Sequence, residues 1–395
     1  MLALGMLMLG ALAACLGNQT MVPATPVPGG ASVTPTVRET PGPAPARPSE
    51  TTTPIPVPAT ATRPQVGLPT PALIPTPAPP LPTSTLTSIP ILPSSTPSAP
   101  AAPATLPATV TGPGATSIHT VFVIVMENHN WAEIQNSPSA PYLNHTLLPM
   151  ASYATQYYNP PGVHPSEPNY LWLEAGSNFG ISNDAAPAAN HQATPRHLVS
   201  LLTAQGLTWK AYAEGISGTI CPLTARGLYA PKHNPMVFFN DVTDTNATHG
   251  AYCLAHERPY RELATDLAHN TVAAYNFITP DLCDDMHNSL GCASLDSIHN
   301  GDTWLATAVP PILNSPAYQA GGVLFITWDE GEHGSDGPIG LLVLSPFAKG
   351  HGYAGAVHYT HSALLRSIEE IFGVTPLLGG AAHSPDLHDL FQQFP

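Results

Sequence analysis

The chain has 395 residues, only 9% of them charged, and a net charge of −15 with its 18 histidines neutral. Such an acidic balance excludes binding nucleic acid or an anionic surface through a general basic field, and no basic run offers a phosphate footprint. Any phosphate chemistry must rest on metal ions and local groups.

The first residues, MLALGMLMLGALAAC, are apolar and end in Leu12-Ala13-Ala14-Cys15. The segment is shorter than the roughly 20 residues of a membrane span and lacks a basic leader. It resembles a bacterial lipobox, which makes residues 1–15 a signal peptide and Cys15 a lipidated N-terminus. An ordinary cleaved signal or a short anchor are the other readings. Each exports the protein, to the cell surface as a membrane-anchored lipoprotein or into the medium. Residues 16–116 follow, rich in Pro, Thr, Ala and Ser, with most of the 48 prolines of the chain lying before residue 114. Such a stretch cannot bury enough apolar surface to offset its ordering entropy, and proline keeps it extended. A disordered stalk with the composition of an O-glycosylated segment is expected. Residues 117–395 remain as one large folded domain.

Within that domain, apolar runs at 120–126, 208–214, 273–279, 322–328 and 339–345 predict buried strands. Helical patterns lie between and after them. One begins with Thr194 as N-cap and Pro195 at the first position, and ends at Gly206. A second spans 260–270, with Leu263 and Leu267 on one face. A third, from His361, stops at Gly373. Alternation of strands and helices predicts an α/β domain with a mostly parallel central sheet and helices on both faces. With Cys15 set aside, Cys221, Cys253, Cys283 and Cys292 form an even set without CxxC spacing. Disulfides in an oxidising compartment are expected, not a zinc knuckle. Cys283–Cys292 would close a short loop and Cys221–Cys253 a longer one; other pairings are open at this stage.

Three of the strands discharge acidic groups at their carboxyl ends, where ligands gather in open α/β sheets. The first ends in Glu127-Asn128. The strand at 273–279 leads to Asp281, Asp284, Asp285 and His287. The strand at 322–328 ends in Asp329-Glu330. Carboxylates brought together repel unless a divalent cation holds them ionised. Oxygen donors favour Mg²⁺, Ca²⁺ or Mn²⁺, and nearby His287, His299 and His361 would shift the preference toward zinc. Ser166 lies between Pro165 and Glu167-Pro168, ahead of an apolar helical turn. It is either an N-cap or, beside a metal, an activated nucleophile at a place where anions are well received.

Six segments taken together, VFVIVMENHNW, HPSEPNYLWLEAGS, FITPDLCDDMH, GDTWL, FITWDEGE and HSALLRSIEEIFG, resemble the phosphoesterase family of bacterial acid phosphatases and phospholipases C, related to the alkaline phosphatase superfamily. They occur in order across residues 119–373. The resemblance implies an alkaline-phosphatase-like three-layer sandwich. It implies Ser166 as nucleophile, with His287 and His361 as catalytic partners. Glu127, Asn128, Asp329 and Glu330 become metal ligands, and His164, Asn169 and Asp285 substrate contacts. His299, Asp302 and His333 are neighbours of the site. The expected reaction is hydrolysis of a phosphate monoester through a phosphoserine. Phospholipase C cleavage of a phospholipid headgroup, or a non-catalytic surface binding module, are the rival readings; sulfate esters follow the same tetrahedral-anion logic. Two positions depart from the family pattern. Glu167 stands where an apolar residue is expected, so its charge must point away from an anionic substrate. His129-Asn130 leaves the role of His129 open.

Overall fold

The structure, a computed structural model, describes residues 117–287 and 289–395. The expected signal peptide, the lipidation site Cys15 and the stalk at 16–116 lie outside the described residues. Ten strands are formed among those described: β1 (Thr120–Met126), β2 (Ser152–Ala154), β3 (Tyr157–Tyr158), β4 (Trp209–Ala213), β5 (Glu257–Pro259), β6 (Tyr275–Thr279), β7 (Gly322–Trp328), β8 (Leu341–Leu344), β9 (Tyr353–Gly355) and β10 (Tyr359–Thr360). Eight make one sheet in the order β5-β4-β6-β1-β7-β8-β2-β9. The five from β5 to β7 are parallel, and β8 is antiparallel to both β7 and β2. The five predicted runs are β1, β4, β6, β7 and β8. The strands not predicted are two or three residues long, too short for periodicity to show.

β1 is the central strand and every residue of it is buried. It pairs with β6 from Val121↔Tyr275 and with β7 through Met126↔Trp328. Covered on both faces, such a strand reads as a continuous apolar run. Because β4, β6, β1 and β7 all run the same way, their carboxyl ends meet at one edge. The ladder continues past the strands there: Asp329 N–H donates to the Met126 carbonyl at 3.0 Å, and Glu127 N–H to the Asp285 carbonyl at 2.7 Å.

Five longer helices frame the sheet: α1 (Ser166–Ala175), α2 (Leu198–Ala204), α3 (Arg261–His269), α4 (Ser297–Leu313) and α5 (His361–Phe372). α5 ends at Gly373, as expected, with φ +64°. The helix predicted from Thr194 instead starts at Leu198, with His197 extended at the cap position. Its acceptor comes from another helix: Glu174 of α1 takes the Val199 N–H at 2.8 Å and His197 Nδ1 at 2.8 Å. That cross-helix cap overrides the local Thr-Pro signal. α4 contains Gly301, where a Cβ would stand 2.3 Å from Met286 Cγ. The glycine lets the loop after β6 settle onto the helix beside the sheet edge. The disulfides are Cys221–Cys253 and Cys283–Cys292. No described helix is long and apolar enough to cross a membrane.

Asp302, expected near the site, lies on α4 and accepts the Tyr142 and Leu143 N–H groups at 2.9 and 2.7 Å. It caps the short helical segment Leu143–Leu147 from outside, a structural task.

Glu257 of β5 is fully buried, with Asn234 Nδ2 donating to Oε2 at 2.6 Å. Burial pushes its carboxyl up from the ordinary 4.5 to about 8, against the smaller pull of Asn234. A group raised on folding contributes stability that is complete below its unfolded value and is lost as pH climbs to the folded one. Stability should therefore fall between pH 4.5 and 8 through this residue. E257Q should lose less melting temperature than the parent between pH 5 and pH 8. Thermal unfolding at the two pH values reads this directly, and identical slopes for both proteins would refute it.

Candidate active site

Glu127 follows β1 with its carboxylate wholly buried. Ser166, the first residue of α1 and 1% exposed, donates from Oγ to Glu127 Oε2 at 3.0 Å. Glu127 Oε1 faces His233 Nε2 at 3.1 Å, and His233 Nδ1 faces Asp285 Oδ2 at 3.2 Å. The Tyr170 ring stacks on His233 with centroids 5.1 Å apart. A row of four side chains, Ser166, Glu127, His233 and Asp285, thus joins α1, β1, the turn Pro231–His233 and the loop after β6. Burial pushes Glu127 up, but His233, Lys232 and His287 outweigh it and bring the carboxyl to about 2. Burial likewise pushes His233 down, and the Glu127 and Asp285 carboxylates hold its imidazolium up at about 9.

Lys232 stands on the other side of the serine. Its Nζ donates to Ser166 Oγ at 3.4 Å and to Asp184 Oδ2 at 3.1 Å. Asp184 also accepts the Glu167 N–H at 3.0 Å, so one of the helix amides expected to receive an anion is already engaged. Glu167, the unexpected neighbour of Ser166, turns away and accepts from Asn190 Nδ2 at 2.8 Å. Burial raises it to about 8, which keeps it neutral at pH 7 and removes the repulsion its charge would bring.

At the adjoining strand end, Asp329 is wholly buried and accepts the Asn128 N–H on Oδ1 at 3.2 Å. Asn128 has φ +45°, a left-handed turn that asparagine tolerates and that swings its side chain off the strand direction. Asn128 Nδ2 and Asn169 Nδ2 each donate to Glu330, both at 3.4 Å, and His164 Nδ1 contacts the same carboxylate. His164 Nε2 meets Asp336 at 2.9 Å. Asn169 also donates to the Val163 and Pro165 carbonyls at 2.9 and 3.2 Å, bracing the turn that presents Ser166. Burial, Glu127 and Glu330 all push the Asp329 carboxyl well above the ordinary range.

His361 departs from expectation. It is buried at the start of α5, with Nε2 donating to the Asp329 carbonyl at 2.6 Å and Nδ1 3.0 Å from the Tyr157 hydroxyl. Both ring nitrogens are engaged, and burial lowers it to about 4, so it stays neutral. It props Asp329 through that residue's carbonyl. His287 is exposed on the loop after β6; its N–H donates to Asp285 Oδ1 at 2.7 Å and its ring lies 6.0 Å from that of His233. His287 lines a cavity of about 220 Å³ with Asn128, His129, Met286, Ser297, Glu332 and His333. His333 stands at that rim, 90% exposed. His299 sits on α4 and borders a different hollow, with Asp284 and Trp304. His129 Nε2 is tied to the Met286 carbonyl at 3.2 Å and Ser297 Oγ at 3.1 Å, which makes it a fastener for that loop.

The donor set suits a hard cation. Asn128 Oδ1 and Asp329 Oδ2 are buried oxygens that receive no hydrogen bond, and an acceptor without a donor is what a cation satisfies. Glu127, Asp329 and Glu330 do not, however, converge as closely as expected. Among the described residues, only Glu214, Asp281 and Asp284 bring three carboxylate donors within 4.8 Å, and these sit just after β4 and on the loop after β6. Lys232, His233 and Asp184 were not singled out from the sequence. The run Pro231-Lys232-His233 carries no periodicity and lies far from Ser166 along the chain; only folding shows its role.

A profile of the Phosphoesterase family matches residues 140–375. A phosphatidylinositol-3-phosphatase of Mycobacterium tuberculosis is 30% identical over 69% of this chain and 82% of its own. A phosphate-repressible acid phosphatase of Penicillium chrysogenum is 26% identical over 55% of this chain, and an acid phosphatase of Aspergillus fumigatus 27% identical over 55%. The chain spans about half the length of these two fungal relatives, 51% and 47%. Among solved structures, an alkaline phosphatase superfamily protein from Vibrio parahaemolyticus aligns with a TM-score of 0.46 at 12% identity, over 67% of this chain and 69% of its own. Ser166, Lys232, His233, Asp285 and Asp329 all fall inside the matched span, which covers more than half the chain: the chain belongs to the Phosphoesterase family and is a hydrolase of phosphoric ester bonds.

Proposed function

We propose that the protein is an exported, metal-dependent phosphomonoesterase that works through a phosphoserine on Ser166. The observation that carries this reading is the placement of Ser166 Oγ between an anion and a cation, 3.0 Å from Glu127 Oε2 and 3.4 Å from Lys232 Nζ. Glu127 holds the hydroxyl proton and orients the oxygen lone pairs. Lys232 places positive charge where the alkoxide develops and where the equatorial phosphoryl oxygens arrive. Glu127, Asn128, Asp329 and Glu330 would hold the divalent ion, Mg²⁺, Ca²⁺, Mn²⁺ or Zn²⁺. When bound, such an ion supplies Lewis-acid polarisation of phosphoryl oxygen and acidifies the serine. Ser166 Oγ forms the new bond to phosphorus as the ester oxygen departs. His287, open to the cavity, protonates that oxygen. Water then cleaves the phosphoserine. His361 is assigned here as a positioning residue for Asp329, because both of its nitrogens are engaged. His164 and Asn169 orient Glu330 and the serine turn, and Asp285 orients His233.

The relatives named above are phosphatases, which favours a monoester over the phospholipase C reaction. The two disulfides suit an oxidising compartment, in keeping with export. Small phosphate esters are the natural probes.

p-Nitrophenyl phosphate should be turned over, its phosphocholine diester should not, and chelator should abolish the reaction. S166A should lower kcat by at least about 1,000-fold while the domain stays folded, with a loss of melting temperature because Glu127 forfeits its hydroxyl donor. Full activity in that variant would refute the serine mechanism, and preferential cleavage of the diester would establish the phospholipase C reading. K232M should lower kcat about 10- to 100-fold, with K232R recovering part of the loss, because the charge acts on the transition state. An effect of K232M confined to the melting temperature would remove Lys232 from the chemistry.

A further inference from the structure

Two leucines on the loop after β6 hold their side chains out in water. Leu290 is 99% exposed and Leu295 94% exposed; no other large apolar side chain among the described residues exceeds 51%. Single exposed leucines are ordinary, but two almost wholly exposed on one loop are an apolar feature that needs a use. The loop is held in place. Cys283–Cys292 closes the arc that carries Leu290. Asp296, next to Leu295, accepts from Ser139 Oγ at 2.6 Å and from the His299 N–H at 3.0 Å. Ser297 Oγ bonds His129 at 3.1 Å. A covalent and hydrogen-bonded frame therefore presents both side chains to water.

The loop also borders the site. Leu290 is three residues from His287, so their Cα atoms lie within about 11 Å, and Leu295 is two residues from Ser297, within about 7 Å. His287 and Ser297 line the same cavity as Asn128. Charge narrows the choice of surface. Residues 283–303 contain no lysine or arginine and include Asp284, Asp285, Asp296 and Asp302, in a chain of net charge −15. An anionic surface would be repelled, whereas a zwitterionic one accepts leucines without a basic patch.

We propose that the loop carrying Leu290 and Leu295 docks on an electrically neutral lipid surface and brings the cavity to a phosphate monoester borne by an amphiphile. The substrate part of this rests on the phosphatase reading above; the docking part does not. Both leucines enter the interface, and the rigid frame sets the height of the cavity above it.

The test uses the full chain. L290W should show a tryptophan emission component, absent from the parent, that shifts to the blue with phosphatidylcholine vesicles and is quenched by brominated phosphatidylcholine. Emission unchanged by these vesicles, or changed only by phosphatidylglycerol-containing vesicles in a salt-sensitive way, would overturn the proposal. L290S/L295S should lower kcat/KM about tenfold on phosphatidylinositol 3-phosphate dispersed in phosphatidylcholine vesicles. Turnover of p-nitrophenyl phosphate should stay unchanged, which also shows that the variant is folded. Equal loss on both substrates, or a change in oligomeric state by light scattering with no vesicle effect, would make the leucines a structural or protein-docking feature instead. If the parent hydrolyses neither substrate, the phosphatase reading falls, and the emission of L290W still decides whether the loop docks.

Discussion

The buried Glu127 carboxylate is the constraint from which the site follows. It sits at the end of the central strand with no access to water. An unpaired anion there would cost several kcal/mol. It remains ionised because His233 meets one oxygen at 3.1 Å and the Ser166 hydroxyl the other at 3.0 Å. His233 is itself balanced by Asp285. Four segments far apart in the chain must close on this charge together. Losing any partner would leave a buried charge uncompensated, so the position of Ser166 is coupled to folding and not only to its own helix.

The rest of the charge pattern fits around that row. The chain is poor in charge, yet it buries several carboxyls. Burial raises Glu167, Glu257 and Glu369 to about 8, so they are neutral hydrogen-bonding groups at pH 7. Around the serine, by contrast, Lys232, Asp184, Glu127 and His233 alternate in sign. A low local dielectric strengthens each of these contacts. Asp329 and Asn128 complete the edge with buried oxygens that no donor satisfies, the chemistry a divalent ion would answer.

The same division of labour shapes the loop after β6. Its inner side is fixed by Asp285, Met286 and the fastener His129, and Gly301 of α4 allows the close approach. Its outer side holds the exposed leucines. One segment thus joins the buried electrostatics of the site to the surface through which a substrate would arrive.

The long strands, the parallel class of the sheet and the carboxyl-end location of Glu127, Asp329 and Asp285 were legible in the sequence. Long apolar runs state their burial locally, and a parallel sheet sends all their ends to one edge. Ser166 was legible as a helix-start serine, and the two disulfides as an even cysteine set. Short strands, the start of α2 and the tasks of individual histidines were not legible. His361, His233 and His129 look alike as letters. What separates a neutral prop, a buried imidazolium and a loop fastener is which acceptors surround each ring, and those come from other elements. Asp302 reads as a site acid and is a cap, because its two amide donors lie 159 and 160 residues away. The sequence by itself determined which side chains carry charge and roughly which strand ends they leave from. The tertiary structure alone decided which charges are paired, since burial and pairing are properties of the neighbours that folding supplies.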